Sequence, residues 1–318
     1  MSQHNKLEHF PINIFPVVMG LTGWTLAWQK TQRVLGLEWE IGEALTVVSI
    51  VVFVILATLY MVKLARHPEA VAAELKHPIK LSFFPAISIS LILLGTTLAK
   101  IEPSSAEVFW LSGVFLQFFL LLFVINSWVN HEHFETVHVN PSWFIPAVGN
   151  VLVPVAGIGF GYVEVSWFFF SIGMMFWLIL LTIVFNRVLF HNPLPPVLLP
   201  TLAILIAPPA VGFVGYTTLV GGLDSFGRLL YGMALFFTLF VATLAPRFAK
   251  LPFFLSWWAY SFPLAAITIA TWVMFETTKV SGYMYLAEVL LGLLSVVLLV
   301  LIFKTIMAVI NNKICVPE

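Results

Sequence analysis

The chain has 318 residues, of which 60% are hydrophobic and 9% charged, against about 25% charged residues in an average soluble domain. Its 15 basic and 15 acidic side chains cannot cover the exterior of a soluble fold of this length. The zero net charge excludes a basic field for nucleic acid and an acidic field for cationic partners, so the expected solvent and partner is the lipid bilayer.

A helix needs about 20 apolar residues to cross a bilayer, and ten segments reach that length. The first, about 11–29, contains Pro16, Gly20 and Gly23 and lacks a small-residue cleavage pattern, which predicts a retained helix. LEWEIGE turns the chain into the second segment, about 43–65, and the longer connector RHPEAVAAELKHPIKL leads to the third, about 82–99. KIEPSSAE separates that from the fourth, about 106–129, after which comes VNHEHFETVHVNP. His131, His133, Glu135 and His138 in this connector lack the HExxH spacing that places two histidines on one helix face, so a solvated interfacial loop is expected rather than a metal site. The fifth and sixth segments, about 142–161 and 164–186, precede RVLFHNPLP. The seventh and eighth, about 197–220 and 227–246, meet at VGGLDS; the ninth and tenth, about 253–275 and 282–304, meet at ETTKVSG. Residues 1–318 read as one transmembrane domain with short tails at about 1–10 and 305–318. The single cysteine, Cys315, lies in the second tail and can close no intrachain disulfide.

Positive residues near spans are retained on the cytoplasmic side. The face holding both termini carries Lys6, Lys63, Arg66, Lys76, Lys80, Arg187, Arg247, Lys250, Lys304 and Lys313; the other carries Lys30, Arg33, Lys100, Arg228 and Lys279. Acidic residues divide in the opposite sense, 6 on the first face and 9 on the second. Both termini are therefore expected in the cytoplasm.

Proline marks alternate segments. The odd ones contain Pro16, Pro85, Pro146 with Pro154, Pro208 with Pro209, and Pro263, in the echoing contexts NIFP, SFFP, WFIP, LIAP and YSFP; the interiors of the even ones contain none. A recurrence of about 60 residues is one helical hairpin per unit, which predicts five hairpins in a pseudo-fivefold ring. Proline removes a helix hydrogen bond and kinks the helix, and the freed carbonyl finds a partner most easily beside a wet cavity. The expectation is five kinked odd helices around a central pathway, with five straighter even helices outside. Phe15 and Phe84, each directly before a proline, and Gly20, Gly149 and Gly212 are candidate pore-lining positions, although glycines serve close helix packing equally well.

The odd segments hold no Asp, Glu, Lys, Arg or His, which disfavours a proton-coupled carrier; Glu288 on the tenth segment is the one membrane-depth carboxylate and is expected on an outer helix. An uncharged pathway would select ions by their cost of dehydration, and this physics leaves the sign of the transported charge open. No nucleophile elbow, phosphate-binding loop or dinucleotide fingerprint stands in a fitting context, so neither an enzyme nor a cofactor is expected.

HPIKLSFFPAISIS at 77–90, NPSWFIPAVGNVLVPVAG at 140–157 and SWWAYSFPLAAITIAT at 256–271 resemble the tellurite-resistance/dicarboxylate transporter family, which includes TehA-like bacterial proteins and the plant guard-cell slow anion channels. The resemblance implies ten transmembrane helices as five hairpins around a central pore, a homotrimer with one pore per subunit, and passage of small monovalent anions such as chloride and nitrate. It implies a multi-pass protein of the bacterial inner membrane. It also implies a pore-blocking phenylalanine on the ninth helix, which is Phe262 here, with Pro16, Pro85, Pro146, Pro208 and Pro263 shaping the pore. An ion- or proton-coupled exporter of dicarboxylate, sulfite or tellurite-related anions is the alternative within the same family.

Overall fold

The computed structural model describes residues 6–130 and 134–316, which form helices and, among the described residues, no strand. His131 and His133 lie outside them. Helices α1 (Pro16–Leu35) and α2 (Ile41–Arg66) come first, followed by the short α3 (Pro68–Lys76). Helices α4 (Pro85–Leu98) and α5 (Pro103–Asn130) precede a broken stretch that contains α6 (Phe144–Val148) and α7 (Val153–Gly157). Next are α8 (Val163–Phe190), α9 (Ala207–Val220), α10 (Ser225–Thr243) and the single turn α11 (Ala245–Phe248). The chain ends with α12 (Ser261–Thr278) and α13 (Ser281–Ile310).

Eight helical stretches are long and apolar enough to cross a membrane, and the chain is a multi-pass membrane protein. Two of the ten expected segments fall outside those eight, each for a chemical reason. The α1 helix runs on through Gln29, Lys30, Gln32 and Arg33, which lower its apolar character. The stretch at 141–157 is divided into two α and two 3-10 pieces. The connector RHPEAVAAELKHPIKL, expected as a loop, contains α3, which opens on Pro68 as a helix start tolerates.

The prolines correct a second expectation. They do not interrupt long α-helices. In each odd segment a 3-10 stretch comes first: Ile12–Ile14, Lys80–Phe83, Pro141–Trp143, Leu199–Ile206 and Leu255–Tyr260. The α-helix then begins with Pro16, Pro85, Pro146, Pro208 or Pro263 among its first three residues. A proline lacks the N–H that the first turn cannot bond anyway, so this is its least costly helical position. The expected kink is thus a change of helix type at the entrance to each segment.

Consecutive helices pack as antiparallel neighbours: α1 on α2, α4 on α5, α6 and α7 on α8, α9 on α10, and α12 on α13. The proline-bearing members also touch in sequence. The α1 helix meets α4, α4 meets α6 and α7, α7 meets α9, α9 meets α12, and α12 returns to α1. Burial follows this division: 61 to 83% of the apolar windows at Lys80–Leu98, Leu199–Val220 and Leu255–Thr278 is buried, against 22 to 33% for α2, α5, α8, α10 and α13. The latter five expose rows of Val, Leu and Phe, such as Val108, Phe115, Leu178, Phe236 and Val296, as lipid-facing surfaces do.

With hydrocarbon outside, packing and buried hydrogen bonds hold the helices together. The α4 and α5 backbones come so close that a Cβ on Gly95 would lie 2.7 Å from the Ala106 carbonyl oxygen, and one on Gly113 would lie 2.7 Å from the Ile92 nitrogen. The broken stretch is supported from α5. Gln117 Nε2 donates to the Pro146 carbonyl at 2.8 Å, Gln117 Oε1 accepts from Ser88 Oγ at 2.6 Å, and Trp110 Nε1 donates to the Val153 carbonyl at 3.2 Å. These side chains occupy carbonyls in a region where regular helical pairing lapses.

Candidate pore

Three cavities lie between the proline-bearing segments, and every one is bordered by Phe262. The first, nearest the 3-10 entrances, is lined by Asn13, Pro16, Met19, Thr201, Leu255 and Ser256 among others. The next includes Ile89, Val148, Gly149, Leu152, Pro208 and Val211; the one nearest the far helix ends includes Gly23, Leu26, Leu93, Thr96, Val214 and Ile269. All five odd segments contribute, none of α2, α5, α8, α10 or α13 does, and no charged side chain lines any of the three.

The lining follows helical arithmetic. Met19, Gly23 and Leu26 on α1, Ile89, Leu93 and Thr96 on α4, and Phe262, Ala266 and Ile269 on α12 each step by four and then three residues, which keeps them on one face. Two of these nine stood out in the sequence, Gly23 as a small residue of an odd segment and Phe262 within the WWAYSFP motif. The signal for the rest is the phase of each helix counted from its proline, which becomes usable once the inward face is known.

Phe262 is half-buried, with its helix held on several sides. A Cβ on Gly23 would lie 2.9 Å from Ala265 Cβ and 3.3 Å from the Phe262 ring, so α1 approaches α12 as only a residue without a side chain allows. Gly20 meets Ser261 in the same seam. Tyr231 Oη and Thr271 Oγ1 are 3.1 Å apart between α10 and α12, and Trp258 Nε1 donates to Thr305 Oγ1 at 2.9 Å just before Phe262. The ring thus projects from a clamped helix.

The other candidates separate. Gly149, Pro16, Pro208 and Pro263 border the cavities. Pro85 and Pro146 do not border these three. Phe15 and Phe84, expected on the pathway, turn away from it: Phe15 packs edge-on against Phe53 and Tyr60 of α2, and Phe84 edge-on against Tyr60. Phe15 and Phe84 precede prolines that are the first residue of their α-helices, whereas Ile145, Ala207 and Phe262, each before a proline one or two places inside its helix, border the cavities. Gly20 serves the α1–α12 seam, and a Cβ on Gly212 would meet Met174 and Leu230 of α8 and α10. Among the described residues no group of three or more His, Cys, Asp or Glu is placed to hold a metal ion.

The voltage-dependent anion channel family model, SLAC1, matches residues 9–306. The chain belongs to this family. An uncharacterized transporter of Methanocaldococcus jannaschii is 26% identical, covering 96% of this chain and 97% of that protein. A tellurite resistance protein TehA homolog of Haemophilus influenzae is 26% identical over 89% of this chain and 88% of its own. The S-type anion channel SLAH3 of Arabidopsis thaliana is 27% identical over 94% of this chain, which spans 48% of the plant channel's length. The family resemblance read from WWAYSFP and the two earlier motifs agrees with these matches. All three relatives bear the names of channels, transporters or resistance proteins, with no enzyme among them.

Proposed function

We propose that the chain is a membrane channel for small monovalent anions, with Phe262 as the gate of a single pathway through each subunit. One observation carries the reading: Phe262 is the one residue that borders all three cavities, whereas the other aromatic rings of the uncharged wall, Phe83 and Trp258 in the first cavity and Phe144 in the middle one, each border a single cavity. A benzyl group in a narrow, uncharged passage makes a dewetted constriction, where an ion loses hydration without replacement. Membership of the anion channel family and likeness to the plant S-type channel supply the sign of the charge. The cycle of contacts between proline-bearing segments supports a ring of ten membrane helices as five hairpins. In this reading the assembly is a homotrimer in the bacterial inner membrane, with both termini cytoplasmic.

Currents from the purified protein in a planar bilayer test this. Phe262→Ala should raise anion conductance by at least about ten-fold, equivalent to about 1.4 kcal/mol of barrier, with the reversal potential following the chloride gradient. Phe84→Ala is the comparison, since its ring packs on Tyr60 and leaves the cavities unchanged. Equal conductance in Phe262→Ala and the parent, both folded, would sink the gate. A reversal potential that follows the pH gradient would establish the coupled exporter instead.

A further inference from the structure

The far end of the pathway is positively charged within a face that is otherwise acidic. Counting on from the cavity-lining residues, Gly23 and Leu26 lead along the same face of α1 to Lys30 and Arg33, and Leu93 and Thr96 lead to Lys100 in the turn just past α4. On α12, Phe262, Ala266 and Ile269 lead to Glu276. Lys30 is paired with Glu276 across the α1–α12 seam, with its side chain 12% exposed. Arg33 and Lys100 stand within electrostatic reach of that pair. Glu276 thus acts on both Lys30 and Lys100, and Arg33 adds a third positive charge that acts on the same two lysines. Burial and the neighbouring Arg33 charge hold the Lys100 ammonium below the usual lysine range, with Glu276 opposing them, as expected where positive charge is in excess.

This excess has a functional direction if the cavities conduct. An uncharged passage cannot itself concentrate ions, whereas a low-dielectric mouth lined by one sign of charge can. We propose that Lys30, Arg33 and Lys100 form a binding site for small inorganic anions at the mouth remote from the termini, where the Glu276 carboxylate is a resident counter-ion that an arriving anion displaces from Lys30. The site rests on the pore reading for its role and stands on its own as an anion-binding site.

The test uses the full-length protein in a Phe262→Ala background, so that current is measurable. With the double change Lys30→Gln and Lys100→Gln, chloride current entering from this mouth should fall by about three-fold or more at low salt and converge with the background at about 1 M salt, where the Debye length shrinks to about 3 Å. Current entering from the opposite mouth should be far less affected. Glu276→Gln should raise the low-salt current from this mouth, and Lys30→Arg should retain the background behaviour, which separates lost charge from a loosened seam. Intact anion current that is indifferent to all of these changes overturns the site while leaving the pore reading in place. If no variant passes anions, the pore reading fails and bromide decides the site. Bromide-dependent thermal stabilisation of the parent that disappears in the double variant supports the proposal; equal stabilisation of both overturns it.

Discussion

At the residue scale, Lys63 and Glu74 hold a buried charge pair beside the entrance that carries the termini. Nζ and Oε2 are 2.9 Å apart, and both side chains are nearly inaccessible. Every charged atom has further company: Lys63 Nζ donates to the Phe10 carbonyl at 2.8 Å, Tyr60 Oη donates to Glu74 Oε2 at 2.8 Å, and the Ile12 N–H donates to Glu74 Oε1 at 3.3 Å. The network ties the chain before α1 to α2 and α3. Removing one partner strands a buried charge, so Glu74→Gln or Lys63→Met alone should cost about 3–5 kcal/mol, whereas the double change Lys63→Met with Glu74→Leu should recover most of it. Thermal melts in detergent decide; a double variant as unstable as the singles would contradict this account. Glu288 is the opposite case. It lies exposed on the outer surface of α13, away from the cavities, so Glu288→Gln should leave conductance and its pH dependence within about two-fold of the parent, far below the effect of a coupling carboxylate. Loss of transport in a folded Glu288→Gln protein would return the coupled exporter to the front.

At the element scale, the α4–α5 hairpin depends on the absence of two side chains. A Cβ at Gly95 or Gly113 would meet backbone atoms at 2.7 Å, and backbone cannot yield as a flexible side chain does. Gly95→Val should therefore force the helices apart, expose Gln117 and Ser88, and lower the melting temperature or abolish the folded yield; overpacking of a tight interface costs about 1–3 kcal/mol and sometimes more. Gly292→Val on α13 is the control, since nothing lies within 4 Å of its added Cβ. Similar yields and melting temperatures for the two variants would show that the close approach is not needed. The 3-10 entrances repeat the same economy five times, each placing the missing proline N–H in a first turn where no partner is required.

At the scale of the whole molecule, the proposed channel has an uncharged cavity wall to set the order in which ions pass. With no acidic or basic ring to replace a hydration shell, weakly hydrated anions should lead, and nitrate should exceed chloride in relative permeability in the Phe262→Ala channel. Bi-ionic reversal potentials measure this directly. An order led by the most strongly hydrated anion would require charged groups that these cavities do not present.

Composition alone determined that lipid is the solvent, because 30 charged side chains in 318 residues leave no alternative exterior. The alternation of proline likewise marked the segments that lie inside, because each proline restarts an α-helix after a 3-10 stretch, and such irregular backbone is tolerated within protein and not against lipid. Helical phase was a different matter. Phe15, Phe84 and Phe262 all sit directly before a proline, yet only Phe262 borders the cavities, while the other two pack on Tyr60. Rotation of a helix about its axis depends on what packs against it, and on a uniformly apolar helix no polar face announces the answer. Tertiary structure decided it through seams such as Gly20 against Ser261 and Gly23 against Ala265. The same packing paired Lys30 with Glu276 and set Lys100 within electrostatic reach of them, although the three are far apart in the chain, because α1 packs against both α4 and α12.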